Sequence, residues 1–187
     1  MAANTIALEE ILAVRAGAQK IASAAVIADV LDRLAAEISS ALADASPVLL
    51  AVMRGGVFTA TELARRLDWP YEFDYVHPTR YGSQLEGGEL EWVKRPGATL
   101  RDRHVLIVDD VLDRGQTLAE LVAAIEQLQP RKVYSTVLVE KALRVPVDRP
   151  VADFVGLRVD DRYLFGCGMD YRGFWRGLPE LFAVGDA

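Results

Sequence analysis

The chain has 187 residues, a length that fits one domain, residues 1–187, with a sizeable core. Hydrophobic residues make up 51% and charged residues 26%, as in globular proteins, and no apolar run reaches membrane-spanning length. The net charge of −6 argues against a broad nucleic-acid face. The single cysteine, Cys167, excludes an internal disulfide, so the expected compartment is a reducing cytoplasm. The first residues show no basic-then-apolar leader pattern.

In chain order, the first predicted element is an amphipathic helix over about 19–43. Ile21, Ala25, Ala28, Leu31, Leu34, Ile38 and Leu42 advance there by three or four. Pro47 turns the chain into Val48–Met53, a buried strand that Arg54-Gly55-Gly56 breaks. Helical spacing resumes over 57–67 through Val57, Ala60, Leu63, Ala64 and Leu67, and residues 71–76 read as a third strand candidate. Residues 78–99 hold Pro78, Gly82, Gly87, Gly88, Pro96 and Gly97 and read as a long loop or hairpin. His77 and His104 read as isolated loop residues without a catalytic role.

The most informative stretch follows. Val105–Val108 is a short apolar run with the character of a strand buried on both faces. Two acids, Asp109 and Asp110, come at once, where that strand would leave the core. A loop then carries Asp113, Gly115 and Thr117, and Leu118, Leu121, Val122, Ile125 and Leu128 recur at helical spacing until Pro130. A buried strand, an acidic edge, a Gly/Thr loop and a helix start form a phosphate cradle beside a magnesium site, because unpaired N–H groups at a helix start favour an anion. Strands near 133–139, 154–157 and 163–165 complete the pattern. Strands alternating with helices imply a mostly parallel α/β sheet, with ligands bound at the carboxyl ends of its strands.

The stretch Asp109-Asp110-Val111-Leu112-Asp113-Arg114-Gly115-Gln116-Thr117 resembles the phosphoribosyl-diphosphate signature of the type I phosphoribosyltransferases. That family's pattern is an apolar strand, two acids, two apolar residues and Asp-Thr-Gly-x-Thr, so Arg114 stands where a threonine is usual. Arg54-Gly55-Gly56 is similar to the family's pyrophosphate loop, which often holds a cis peptide between its first two residues. Arg80-Tyr81-Gly82 stands at the place of the mobile Ser-Tyr-Gly loop of the 6-oxopurine members, and Arg80 departs from it. Val139-Glu140-Lys141, Asp153-Phe154-Val155-Gly156 and the run from Asp161 to Tyr171 resemble the C-terminal part of the hypoxanthine-guanine members.

The resemblance covers roughly residues 47–184. It implies the family's α/β fold, a mostly parallel sheet flanked by helices, with a small hood formed by chain-terminal segments. It implies transfer of a phosphoribosyl group to hypoxanthine or guanine in purine salvage, with magnesium (Mg2+) as cofactor. Asp113 would be the general base. Arg54, Gly55, Tyr81, Asp109, Asp110, Asp113, Arg114, Gly115, Gln116, Thr117 and Arg176 would hold phosphoribosyl diphosphate. Lys141, Tyr163 and the backbone of Leu164 would read the purine, and Asp109, Asp110 and Asp170 would face the metal. A homodimer or homotetramer without nucleic-acid or membrane partners is expected. Cys167, in place of a frequent tyrosine, reads as a small buried filler. Two rivals stay open: a transferase preferring xanthine or another base, and a non-catalytic regulator that binds RNA or DNA on the same fold.

Overall fold

In the computed structural model, which describes residues 7–80, 90–145 and 147–185, the apolar runs form the middle of a six-stranded sheet. Its strands are β2 (Val48–Val52), β3 (Glu72–Arg80), β4 (Leu90–Lys94), β5 (His104–Leu112), β6 (Lys132–Ala142) and β7 (Phe154–Asp160), in the order β4-β3-β2-β5-β6-β7. All neighbours are parallel except the β3–β4 pair. Every residue of β2 is buried, which explains its continuous apolar run.

Helices cover both faces. Those of α2 (Ala24–Leu42) and α3 (Gly56–Ala64) pack through Leu31, Leu34, Ile38, Ala60 and Leu63 on Leu49, Ala51, Leu106 and Val108. On the other face α4 (Gln116–Glu126) packs Leu118, Leu121 and Ile125 on Val48, Leu50, Val105 and Ile107. Odd and even residues of one strand thus serve two cores. A three-stranded antiparallel sheet, β1 (Gln19–Ala22), β9 (Leu181–Ala183) and β8 (Leu164–Phe165), forms the expected hood from segments near the two chain termini.

Several expectations are corrected. Residues 19–22 form β1 rather than the start of a helix, because their backbone pairs with β9. Ser23 then caps α2, its hydroxyl accepting from the Val26 N–H at 3.3 Å. A further helix, α1 (Leu8–Gly17), precedes them; it buries only Ile11 and so leaves no apolar stripe in the sequence. Of the two readings of 78–99, a long loop or a hairpin, the described residues fit the second: β3 continues through His77 and Pro78 to Arg80 and pairs antiparallel with β4. Pro78 fits because it lies beyond the β2 pairing, beside an irregularity in the β3–β4 register. Tyr81 lies outside the described residues. His77 and His104 lie in strands, not loops. The β5 strand also runs on through both acids, since Asp109, Val111 and Leu112 keep pairing with β6.

Candidate active site

Three strand ends, those of β2, β5 and β6, place the candidate residues side by side. After β2 the chain turns into α3 through Arg54, Gly55 and Gly56, with a cis peptide between Met53 and Arg54. The bond lies one position earlier than the resemblance implied; the Met53 N–H still donates to the Val76 carbonyl at 2.8 Å, so the turn begins after Met53. The glycines serve close packing. A Cβ on Gly55 would stand 1.8 Å from Oδ2 of Asp110, and one on Gly56 would stand 2.5 Å from the Val108 carbonyl. Arg54 is exposed and has no ion-pair partner among the described residues.

The two acids of β5 sit at its carboxyl end. Asp110 is 8% exposed, and its Oδ1 accepts from the Val111 N–H at 3.0 Å. Asp109 Oδ1 accepts from the Asp110 N–H at 2.9 Å. Burial, followed by the charge of Asp110, pushes the Asp109 carboxyl well above the usual range. Burial also raises Asp110, and its hydrogen bonds and Arg176 offset only part of that rise. The pair therefore resists carrying two negative charges unless a cation arrives.

Beyond them, Gly115 adopts a left-handed conformation (φ 77°) and supplies the N-cap position of α4, where it offers no side chain to cap the helix. Residues 109–118 and Val137 enclose a cavity of about 360 Å³, so Arg114, Gly115, Gln116 and Thr117 line the predicted cradle. Arg114 is exposed at its edge. A helix start with outward N–H groups suits a phosphate.

A second cavity, of about 270 Å³, adjoins the first. Asp110, Val111, Asp113, Lys141, Tyr163, Leu164, Met169 and Asp170 line it. Lys141, at the end of β6, donates to Asp113 Oδ2 at 2.7 Å, and its Nζ lies 3.8 Å from Asp161. The candidate base and the candidate purine donor thus touch, although 28 residues separate them in sequence. Tyr163 is 53% exposed and meets Tyr171 edge to face at 5.6 Å, which leaves ring surface open to stack on a base. Asp161 and Met169 carried no assignment of their own in the sequence; only their place in the run 161–171 pointed to them.

Asp170 does not stand open toward a cation. It forms an ion pair with Arg176, and its Oδ2 accepts from the Gly173 N–H. Arg176 also donates to the Gly168 carbonyl at 2.6 Å. Among the described residues no group of three or more His, Cys, Asp or Glu side chains could hold a metal ion. Asp109 and Asp110 remain as two adjacent hard oxygen donors. That set fits a magnesium ion that takes its other ligands from water and substrate phosphates. Cys167 is buried, and burial, then Glu180, pushes its thiol up to about 12, so it is a filler rather than a nucleophile. A larger cavity of about 480 Å³, between α2 and α3, is lined mainly by apolar residues and holds none of these acids.

Comparison with known proteins agrees with this arrangement. The family model described as "Phosphoribosyl transferase domain" matches residues 17–172. A hypoxanthine-guanine-xanthine phosphoribosyltransferase of Tritrichomonas foetus is 33% identical over 79% of this chain and 81% of its own. A hypoxanthine-guanine phosphoribosyltransferase of Aquifex aeolicus (strain VF5) is 32% identical over 82% of this chain and 86% of its own. The solved structure of a hypoxanthine-guanine phosphoribosyltransferase from Bacillus anthracis superposes with a TM-score of 0.83 at 26% identity, covering 89% of this chain and 98% of that one. A match of that extent, over the strands β2, β5 and β6 and the loop that follows β5, places this chain in the phosphoribosyltransferase family.

Proposed function

We propose that the protein is a purine-salvage enzyme that transfers the 5-phosphoribosyl group of phosphoribosyl diphosphate to hypoxanthine or guanine, releasing pyrophosphate. One observation carries this reading. The phosphate cradle and the base cavity share Asp110, Val111 and Asp113, with Lys141 within hydrogen-bond distance of Asp113. A ribose held over Asp109 and Asp110 would present its anomeric carbon to a base on the Lys141 side.

In this reading the 5′-phosphate sits on the backbone of residues 114–117 and the Thr117 hydroxyl. The carbon–oxygen bond to pyrophosphate breaks as the purine N9 bond forms, and positive charge develops on the ribose. Asp113 accepts the proton leaving N7. Lys141, which has donors and no acceptor, holds O6 and disfavours the amino group of adenine. Tyr163 stacks on the base and the Leu164 backbone meets its edge. Arg54, exposed just beyond β2, and Arg176 face the leaving pyrophosphate. Magnesium, held by Asp109 and Asp110, would neutralise phosphate charge. A homodimer or homotetramer completes the proposal, in a reducing cytoplasm, which a chain with one cysteine suits. No helix among the described residues is long and apolar enough to cross a membrane.

The test is pyrophosphate release with phosphoribosyl diphosphate, magnesium and each of hypoxanthine, guanine, xanthine and adenine. Turnover with the 6-oxopurines well above that with adenine is expected. Adenine preference, or no release with any base, would refute the reading.

A further inference from the structure

Between β6 and the Asp153-Phe154-Val155-Gly156 stretch, one side chain that belongs to no motif reaches both halves of the site. Arg149 donates through Nη1 to the Leu112 carbonyl at 3.3 Å and to the Asp113 carbonyl. Through Nη2 it donates to the Lys141 carbonyl at 2.8 Å and to Glu140 Oε1 at 3.1 Å. The side chain is only 15% exposed, and so is that of Glu140. The same segment touches the loop a second time. A Cβ on Gly115 would stand 2.8 Å from Arg149 Cβ and 2.9 Å from Pro150 Cδ.

We propose that Arg149 is a positioning residue that fixes the Asp113 loop against the end of β6, and so sets the distance between Asp113 and Lys141. The inference rests on the transferase reading above. The planar guanidinium suits this task because its rigid fork can meet three carbonyls and one carboxylate at once. Its partners are main-chain oxygens at the two positions whose side chains face the base, so it fixes the backbone from which both reach. Glu140 holds the guanidinium from the far side and is itself paired with Arg158 at 2.8 Å. Arg149 reaches no cavity wall described above, so it acts through Asp113 and Lys141 and not on the substrate.

The experiment compares the wild type, Arg149→Gln, Arg149→Lys and Glu140→Gln as full chains. Thermal melting establishes that each is folded. Steady-state kinetics uses hypoxanthine with phosphoribosyl diphosphate and magnesium. In Arg149→Gln, kcat should fall roughly 10–100-fold while KM for phosphoribosyl diphosphate moves by less than about threefold, since small misplacement of a reacting group is costly. Arg149→Lys, with one compact donor, should recover part of that loss. Glu140→Gln leaves the carbonyl contacts in place and should keep most of kcat. Wild-type kcat in folded Arg149→Gln, or an equal loss in Glu140→Gln, would overturn the assignment. If Arg149→Gln does not fold, Arg149→Lys decides: full wild-type kcat there overturns it too. Amide exchange of residues 112–117, measured without substrate, separates this inference from the function on which it rests. Exchange should quicken about tenfold in Arg149→Gln, and unchanged exchange overturns the positioning role even in an inactive protein. An inactive wild type with quickened exchange in the variant would refute the transferase reading alone.

Discussion

Asp74, at the base of the β3–β4 hairpin, and the Asp109–Asp110 pair, at the end of β5, are the same side chain treated in opposite ways. Asp74 receives hydrogen bonds from Lys94 Nζ at 2.9 Å and from the N–H groups of Tyr75, Gly97 and Ala98. Burial alone would raise its pKa, but these donors outweigh it and lower it to about 2. The β5 pair accepts from the local N–H groups of Asp110 and Val111, and burial drives both members upward. The first carboxylate is satisfied and contributes to stability. The second site leaves charge unsatisfied in the folded chain, and a ligand that brings positive charge can recover that energy. Asp113 stands between them, more exposed and with its carboxylate paired with Lys141.

The largest effect that breaks this ordering falls on Asp113. Asp113→Asn should keep the fold and lose turnover by ~10²–10⁴-fold, the usual cost of removing a general base. Kinetics on the purified variant, alongside its circular dichroism, checks this; near-normal rates would remove Asp113 from the chemistry.

Asp74→Asn should leave turnover per folded molecule nearly intact and cost ~2 kcal/mol of stability through the lost charge-assisted bonds. For a chain of this size that lowers Tm by roughly 4–8 °C. The sign with pH follows from the depressed pKa. The Asp74 contribution is complete above about pH 4, its unfolded value, and fades as pH falls toward 2. Melting curves of wild type and variant should therefore converge in acid. A gap that persists at pH 2 would assign the loss to packing instead.

Asp109→Asn should give the smallest and opposite shift. It removes a carboxylate that the fold holds against its charge while keeping an oxygen to accept from the Asp110 N–H. A raised folded pKa means that the charged group costs stability once pH exceeds its unfolded value. The ligand-free variant should thus melt a little higher than wild type, with a larger gap at pH 8 than at pH 5. It should also lose activity. A lower Tm at pH 8 would show that the pair is satisfied after all.

The parts of this contrast that sequence could carry were those written in one continuous stretch. Val105–Val108 predicted a buried strand because both faces of β5 are covered, and Gly115 and Thr117 followed it in a fixed frame. Lys141 and Tyr163 could be named from the resemblance, but their meeting around Asp113 depends on β5 and β6 being neighbours. Asp74 gave no signal, because its donors Lys94, Gly97 and Ala98 lie across the hairpin. Arg149 gave none either: three of its four partners are carbonyls, which every residue possesses. The β1 strand was hidden because four residues cannot distinguish a helical from an extended pattern, and its conformation is set by pairing with β9. Gly55 is expected from the resemblance as a ligand contact. That it is also the space in which Asp110 sits is not.

The pairing of β1 with β9 has a consequence for how the molecule is made. Gln19 meets Ala183, so β1 has no partner in its sheet until β9 is synthesised. The six strands of the large sheet are complete by Asp160 and can form their ladder earlier. The phosphate cradle therefore belongs to the part of the nascent chain that can fold first. The wall of the base cavity that contains Leu164 is held by β8 on β9 and forms only after residue 181 has emerged. At translation speeds of about 5–20 residues per second, an interval of seconds separates the two. During it the chain has the makings of a sugar-phosphate site but not yet a closed place for the base.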